Sequence, residues 1–200
     1  MSREFWEERF RSEEFAYGKE PNDFLKDEVQ RIPEGRVLAL AEGEGRNAVF
    51  LAERGYSVVA VDQSEEGLRK ATRLADERGV EVELICRDLA DFELDEGAYT
   101  GIVSIFAHLP KELRARIHRD LQKALLPGGV YLMEAYAPAQ LEYGTGGPRD
   151  PALLASLEEL RSELKGLDLE IAREMEREIH EGRFHRGRSA TVQIVARKPV

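Results

Sequence analysis

The chain has one cysteine, Cys86, among its 200 residues, so it can form no internal disulfide. The apolar run VEVELIC around Cys86 reads as buried rather than reactive. Apolar runs are short too: none approaches the roughly 18 residues of a membrane span, and MSREFWEERF is too charged for a secretory leader. Positive charge is scarce, with 29 Lys and Arg against 39 Asp and Glu, a formal charge of −10. A nucleic-acid backbone binder needs clustered basic residues, so the balance argues against that class. No G-x-S-x-G elbow, P-loop or paired His/Cys metal pattern occurs. His180, Glu176 and Glu178 share one face of an expected strand, but they read as a polar face, and no metal is expected.

What is present is alternation. Val37–Leu40 reads as a strand, Asn47–Arg54 as a helix and Ser57–Val61 as a strand buried on both faces. Ser64 caps a helix over Glu65–Arg78 that Gly79 stops. Val80–Cys86 and Ala98–Phe106 are strands; Lys111–Leu125 is a helix closed by Pro127-Gly128-Gly129, and Val130–Ala135 is a further strand. A helix over Asp150–Leu164 follows. Leu169–Ile179 and Ser189–Ala196 then form an antiparallel hairpin on the sheet edge, with HEGRFHRGR as its connection. The fold class is therefore α/β: a Rossmann-like, doubly wound, seven-stranded and mostly parallel sheet with a C-terminal antiparallel hairpin and an N-terminal helical extension. One domain suffices, divided into an N-terminal segment (1–32), a core (33–135) and a terminal loop, helix and hairpin (136–200).

The most informative stretch is VLALAEGEGRNAVFLAERGYSVVAVD, Val37–Asp62. Gly43-Glu44-Gly45-Arg46-Asn47-Ala48 fits G-x-G-x-x-A, a turn in which glycine lets the backbone approach a ligand. Asp62 follows at the end of the next strand, where a carboxylate accepts hydrogen bonds from a ribose diol. It could equally cap the helix that starts near Ser64. Carboxylates at Glu42 and Glu44 would repel a pyrophosphate and suit a sulfonium and an ammonium better.

These motifs resemble those of the class I S-adenosylmethionine-dependent methyltransferases. RDLADF (Arg87–Phe92) is similar to the motif after the third strand, GIVSIFAHLP (Gly101–Pro110) to that of the fourth, and LLPGGVYLMEAY (Leu125–Tyr136) to the turn into the fifth. The entry segment FWEERF...EFAYGKEPNDFL and the closing HRGRSATVQIVARK are similar to the tellurite-resistance and thiopurine methyltransferase-like branch. The resemblance implies S-adenosylmethionine as cofactor and a small-molecule acceptor such as a thiol or chalcogen oxyanion, in a cytoplasmic protein, monomeric by default, with no nucleic-acid or membrane partner. It places Tyr17, Ala41, Gly43, Gly45, Asn47, Asp62, Gln63, Asp88, Leu89 and Ser104 against the cofactor, and gives His185, Arg186 and Arg188 catalytic roles. The first motif departs from the family at Ala39, Ala41 and Glu42.

Rival readings stand beside these. Asp88 could be a turn acid, and His108 either lines the pocket or caps the helix after Pro110. His185 and Arg186 fall in the expected hairpin turn, where charged residues are usually solvated. Trp6 and Phe10 share a helical face that could dock on the sheet, while Tyr17-Gly18 could mark a mobile lid. Tyr136 and Tyr143 could line an acceptor pocket. A nicotinamide-dependent oxidoreductase and a cofactor-binding protein without catalysis are the alternative functions.

Overall fold

In a computed structural model that describes residues 1–200, the chain runs α1 (Arg3–Phe10), α2 (Asp23–Glu28), β1 (Arg36–Leu40), α3 (Arg46–Glu53), β2 (Ser57–Asp62) and α4 (Glu65–Arg78). It continues through β3 (Glu83–Cys86), β4 (Tyr99–Ile105), α5 (Lys111–Ala124), β5 (Leu125–Tyr136), α6 (Leu157–Glu163), β6 (Asp168–Glu181) and β7 (His185–Arg197). The seven strands form one sheet in the order β3-β2-β1-β4-β5-β7-β6. The first five pair in parallel. β7 then runs antiparallel between β5 and β6. This is the expected Rossmann-like sheet with its terminal hairpin. No helix is long and apolar enough to cross a membrane.

The period-2 geometry of the strands sorts their side chains to two faces. Leu38, Leu40, Val59, Val61, Ile102, Met133 and Ile194 pack on one side of the sheet. Val37, Ala39, Val58, Ala60, Val103, Leu132 and Val195 pack on the other. Both faces are covered, which is why the central strands are apolar at every position rather than alternating.

Several expected boundaries move, each for a local reason. The helix α5 stops at Ala124, and Leu125 is already extended (φ −66°, ψ 138°). Pro127-Gly128-Gly129 is thus a bulge inside β5, lying between the pairs Tyr99–Leu125 and Gly101–Val130, rather than a turn ahead of a strand. The helix expected over Asp150–Leu164 is broken into a 3-10 turn at Pro151–Leu153 and α6. Ser156 and Glu159 form a reciprocal capping box that starts a new helix. The terminal hairpin is longer than its apolar residues suggested: β6 reaches Glu181 and β7 begins at His185. His185, Arg186 and Arg188 therefore lie on a strand, not in a turn, and His185 is buried at 6% exposure.

Candidate active site

The carboxyl ends of β1, β2 and β4 open into a cavity of about 1160 Å3, where ligands collect in open α/β sheets. The N-terminal segment, the Gly144–Arg149 loop and the tip of the terminal hairpin close it.

The turn after β1 is built from backbone in the left-handed region: Ala41 at φ 51°, Gly43 at 60° and Gly45 at 87°. A Cβ on Gly43 would come within 3.0 Å of the Phe10 ring, and one on Gly45 within 2.5 Å of the Ala71 Cβ. Ala41 has no such freedom, and the left-handed region costs an L-residue about 1–2 kcal/mol. The non-glycine residues with positive φ are Ala41 and Phe106 (52°), and both line the cavity. Strain of this kind concentrates at ligand sites.

The carboxylates around the turn do structural work. Glu42 Oε1 accepts from the backbone N–H of Asn47 (2.9 Å) and Ala48 (2.7 Å), capping α3 in place of a side chain at Gly45. Burial pushes Glu42 up to about 7, against the pull of those two N–H groups and of Arg46. Glu44 accepts from the N–H of Ala16 (3.0 Å) and Tyr17 (3.1 Å) and from Lys70 Nζ (2.5 Å). Their expected role as free charges facing a cationic ligand is replaced by these internal bonds. Asp62 Oδ2 accepts from Gly43 N–H (2.8 Å) and Oδ1 from Ser64 N–H (2.9 Å), so it joins the glycine turn to the start of α4. Burial raises Asp62 to about 6, and the two N–H groups oppose the rise. Each oxygen accepts a single bond and so retains acceptor capacity.

The N-terminal segment is fastened over this turn. Lys70 is fully buried, and besides Glu44 its ammonium donates to the carbonyls of Ser12 (2.8 Å) and Glu14 (2.6 Å). Asn47 Oδ1 accepts from Asn22 N–H (2.9 Å). Glu7 receives the N–H groups of Glu65 (2.8 Å) and Glu66 (3.1 Å) at the start of α4. Trp6 and Phe10 stack at 5.5 Å, and Tyr17 reaches from Phe10 (6.2 Å) to His185 (4.5 Å). The aromatics of the opening residues thus form a roof for the cavity.

At the far end stand Phe106, His108, Tyr136 and His185. Phe106 and His108 each stack on Tyr136, at 4.7 and 5.5 Å, while His185 meets Tyr136 edge-on at 5.4 Å. Burial lowers His108 to about 4 and holds His185 well below the usual imidazole range, so both rings are neutral.

Residues 37–129 match a family model described as a methyltransferase domain. The 2-heptyl-1-hydroxyquinolin-4(1H)-one methyltransferase of Mycobacteroides abscessus is 28% identical over 137 residues, covering 67% of this chain and 60% of the relative. The glycine/sarcosine N-methyltransferase of Halorhodospira halochloris is 31% identical over 134 residues, 64% of this chain and 47% of the relative. The matched residues, just under half of the chain, are thus similar to methyltransferase domains. The chain spans about half to 60% of those relatives' own lengths. A crystal structure of an S-adenosylmethionine-dependent methyltransferase from Methanosarcina mazei superposes with a TM-score of 0.69 over 86% of this chain and 97% of that one, at 18% identity, which shows a shared fold. The crystal structure of TehB from Haemophilus influenzae superposes with a TM-score of 0.71 over 98% of this chain and 66% of that one, at 19% identity, a likeness of fold.

Of the residues expected against a cofactor, Tyr17 from the N-terminal segment and Ala41, Gly43, Asn47, Asp62, Gln63, Asp88 and Leu89 from the core line the cavity. Asp88 is exposed there and also accepts from Ala90 N–H (2.8 Å), so it is a turn acid as well. Gly45 is not on the wall; its missing Cβ makes room for Ala71 of α4. Ser104 is also off the wall, buried within β4 near the Tyr131 hydroxyl. His185 and Arg186 line the cavity, whereas Arg188 is exposed and paired with Glu176. Lys70 and Arg9 were not anticipated. The signal for Lys70 was a lysine among Leu68, Ala71, Leu74 and Ala75 on one helical face. Arg9 donates to the Tyr17 hydroxyl (3.3 Å) and lies 3.9 Å over the Phe184 ring, contacts across the roof that no local spacing encodes.

Proposed function

We propose that the protein is an S-adenosylmethionine-dependent methyltransferase acting on a small molecule. The observation that supports this most strongly is Asp62: a buried carboxylate on the cavity wall, at a strand end, bonded to a turn whose backbone is left-handed at Ala41 and Gly43. An acceptor-only group at that place suits the two hydroxyls of a ribose. Asp88 and the Leu89 backbone would lie at the adenine, with Gln63 beside them. Ala41, Gly43 and Asn47 would border the methionine part, under Tyr17. Residues 1–32 then act as the roof, 33–135 hold the cofactor and 136–200 receive the acceptor. The cavity, at about 1160 Å3, exceeds the roughly 300–1000 Å3 usual for one small ligand, which leaves room for a second molecule.

When bound, the cofactor supplies a methyl group on a positively charged sulfur. The chain's own part is to hold and to dry. The roof of Trp6, Phe10 and Tyr17 excludes water, and the walls fix the acceptor's approach. His185, neutral and with an unpartnered Nδ1, is the group to take a proton from an acceptor that must lose one. Arg186, exposed at the mouth, meets anionic substituents. The finer reading, a tellurite- or thiopurine-type enzyme with a thiol or chalcogen-oxyanion acceptor, has His185 and Arg186 on the wall in its favour and Arg188, turned onto Glu176, against it. The small-molecule relatives support the broader statement.

The test is transfer of labelled methyl to a panel of small phenols, thiols, amines and chalcogen oxyanions, with His185→Ala as control. The variant should keep its affinity for S-adenosylhomocysteine and lose turnover. Full turnover in the variant would make the hairpin scaffold, and cofactor binding without transfer to any acceptor would favour a non-catalytic binding protein.

A further inference from the structure

The buried side-chain polar atoms without a hydrogen-bond partner are concentrated at one corner of the molecule. They are both ring nitrogens of His108, Nδ1 of His185 and the hydroxyls of Tyr136 and Thr191, with Arg73 Nε as the outlier. The Leu153 backbone near His108 and the Ser189 hydroxyl near Tyr136 do not reach hydrogen-bonding geometry. Tyr136 and Thr191 are cross-strand partners, and the two histidines flank Tyr136 at 5.5 and 5.4 Å. Each such atom has given up its hydration without gaining a replacement bond. Folded proteins leave few of them, and here His108 and His185 line the cavity while Tyr136 and Thr191 stand directly behind them, so the two histidines mark where a bound molecule supplies partners.

The chemistry of the corner is narrow. A neutral imidazole offers one donor and one acceptor, and a phenol offers both. The carboxylates nearest the corner, Glu134 and Glu181 beside Tyr136, are already paired with Arg177, and Glu181 also with Arg46; those on the cavity wall, Glu42, Glu44, Asp62 and Asp88, belong to the cofactor end. Of the nearby guanidiniums, Arg46 is committed to Glu181 and Arg9 to Tyr17 and Phe184, while Arg149, Arg183 and Arg186 are exposed at the mouth. An ammonium would find no counter-charge there. A carboxylate would give up its hydration for neutral donors, a poor exchange. The walls are ring faces, with His108 within 14° and Phe106 within 30° of the Tyr136 plane.

We propose that the acceptor is a flat aromatic or heteroaromatic ring bearing a neutral hydroxyl, and that His108 selects it by hydrogen-bonding that hydroxyl together with His185. The proposal rests on the methyltransferase reading of the same cavity. Tyr136 supports His108 by stacking, and the close approach of Gly146 and Gly147 to its ring keeps it in place: a Cβ on Gly147 would lie 2.5 Å from the Tyr136 ring.

The test is calorimetric titration of the protein saturated with S-adenosylhomocysteine, using naphthol, naphthoate and naphthylmethylamine, which differ only in the group carried by the ring. Naphthol should bind at least about tenfold more tightly than either charged analogue. His108→Phe, which keeps the stacked ring, should abolish that preference while leaving S-adenosylhomocysteine affinity unchanged, and His108→Gln should restore part of it. Equal or tighter binding of naphthoate or the amine, or an undiminished preference in His108→Phe, overturns the proposal. Failure to bind S-adenosylhomocysteine strikes the methyltransferase reading instead, and the series is then read on the free protein by the same criteria.

Discussion

The two ends of the cavity solve opposite problems. At the end proposed for the cofactor the buried carboxylates are answered by backbone: Glu42 by the start of α3, Asp62 by Gly43 and Ser64, and Glu44 by the roof and Lys70. At the acceptor end His108, His185, Tyr136 and Thr191 keep polar atoms with no internal partner. A ligand that is always the same can be met by a scaffold satisfied beforehand, with spare lone pairs added at its edge. A site for the variable partner is left with its hydrogen bonds open. The contrast also separates stability from selectivity, because damage at the first end should loosen the fold and damage at the second should not.

The largest effect should come from the buried pair beneath the roof. Lys70→Met leaves Glu44 without its cation, and breaking a buried ion pair typically costs about 3–5 kcal/mol. Urea unfolding measures it; a loss below about 1 kcal/mol would mean that the roof is held by its aromatics instead. Next is Asp62→Ala, which frees the Gly43 and Ser64 N–H groups and should cost less stability than Lys70→Met, while weakening S-adenosylhomocysteine binding by about 1.5–3 kcal/mol in protein that remains folded. An unchanged affinity would reduce Asp62 to a loop staple.

The titration of the cofactor end provides a third contrast. Burial raises Glu42 to about 7 and Asp62 to about 6, from ordinary values of 4.5 and 3.8. Between those values the folded chain binds more protons than the unfolded one, so these groups make stability fall as pH rises through the window. Glu163, held down to about 2 by its bonds to His118 and Arg114 despite burial, acts in the opposite sense at lower pH, between about 2 and 4.5. Thermal melts of Glu42→Gln against the parent should therefore diverge in favour of the variant as pH rises past about 5; parallel curves would mean that Glu42 is solvated. The smallest effect is expected for Ala41→Gly: release of left-handed strain, about 1–2 kcal/mol, less the unfolded-chain entropy of glycine, about 0.4–1 kcal/mol, should give a net gain of about 1 kcal/mol in urea unfolding, and a loss would mean that Ala41 is unstrained.

How much of this was legible in the chain follows the same division. The parallel core could be read because apolar runs such as Val37–Leu40 and Ser57–Val61, the Ser64 cap and the Gly79 stop are local signals. Asp62 could be placed because one strand and one turn fix it. Gly45 is harder to read from spacing, because a glycine needed for packing against Ala71 has the same signature as one needed for a ligand. His185 looked like a solvated turn residue because the strands extend through polar positions whose burial is decided by Tyr17 and Phe106 packing on them from distant segments. The acceptor end is assembled from β4, β5, β7 and the roof, and no spacing along the chain encodes that meeting.

The most direct test of the central claim is a calorimetric titration of the intact protein with S-adenosylhomocysteine and, separately, with NADH. The protein should bind the first saturably, more weakly in Asp62→Ala, and give no response to the second. Saturable NADH binding beside silence toward S-adenosylhomocysteine would contradict the methyltransferase assignment.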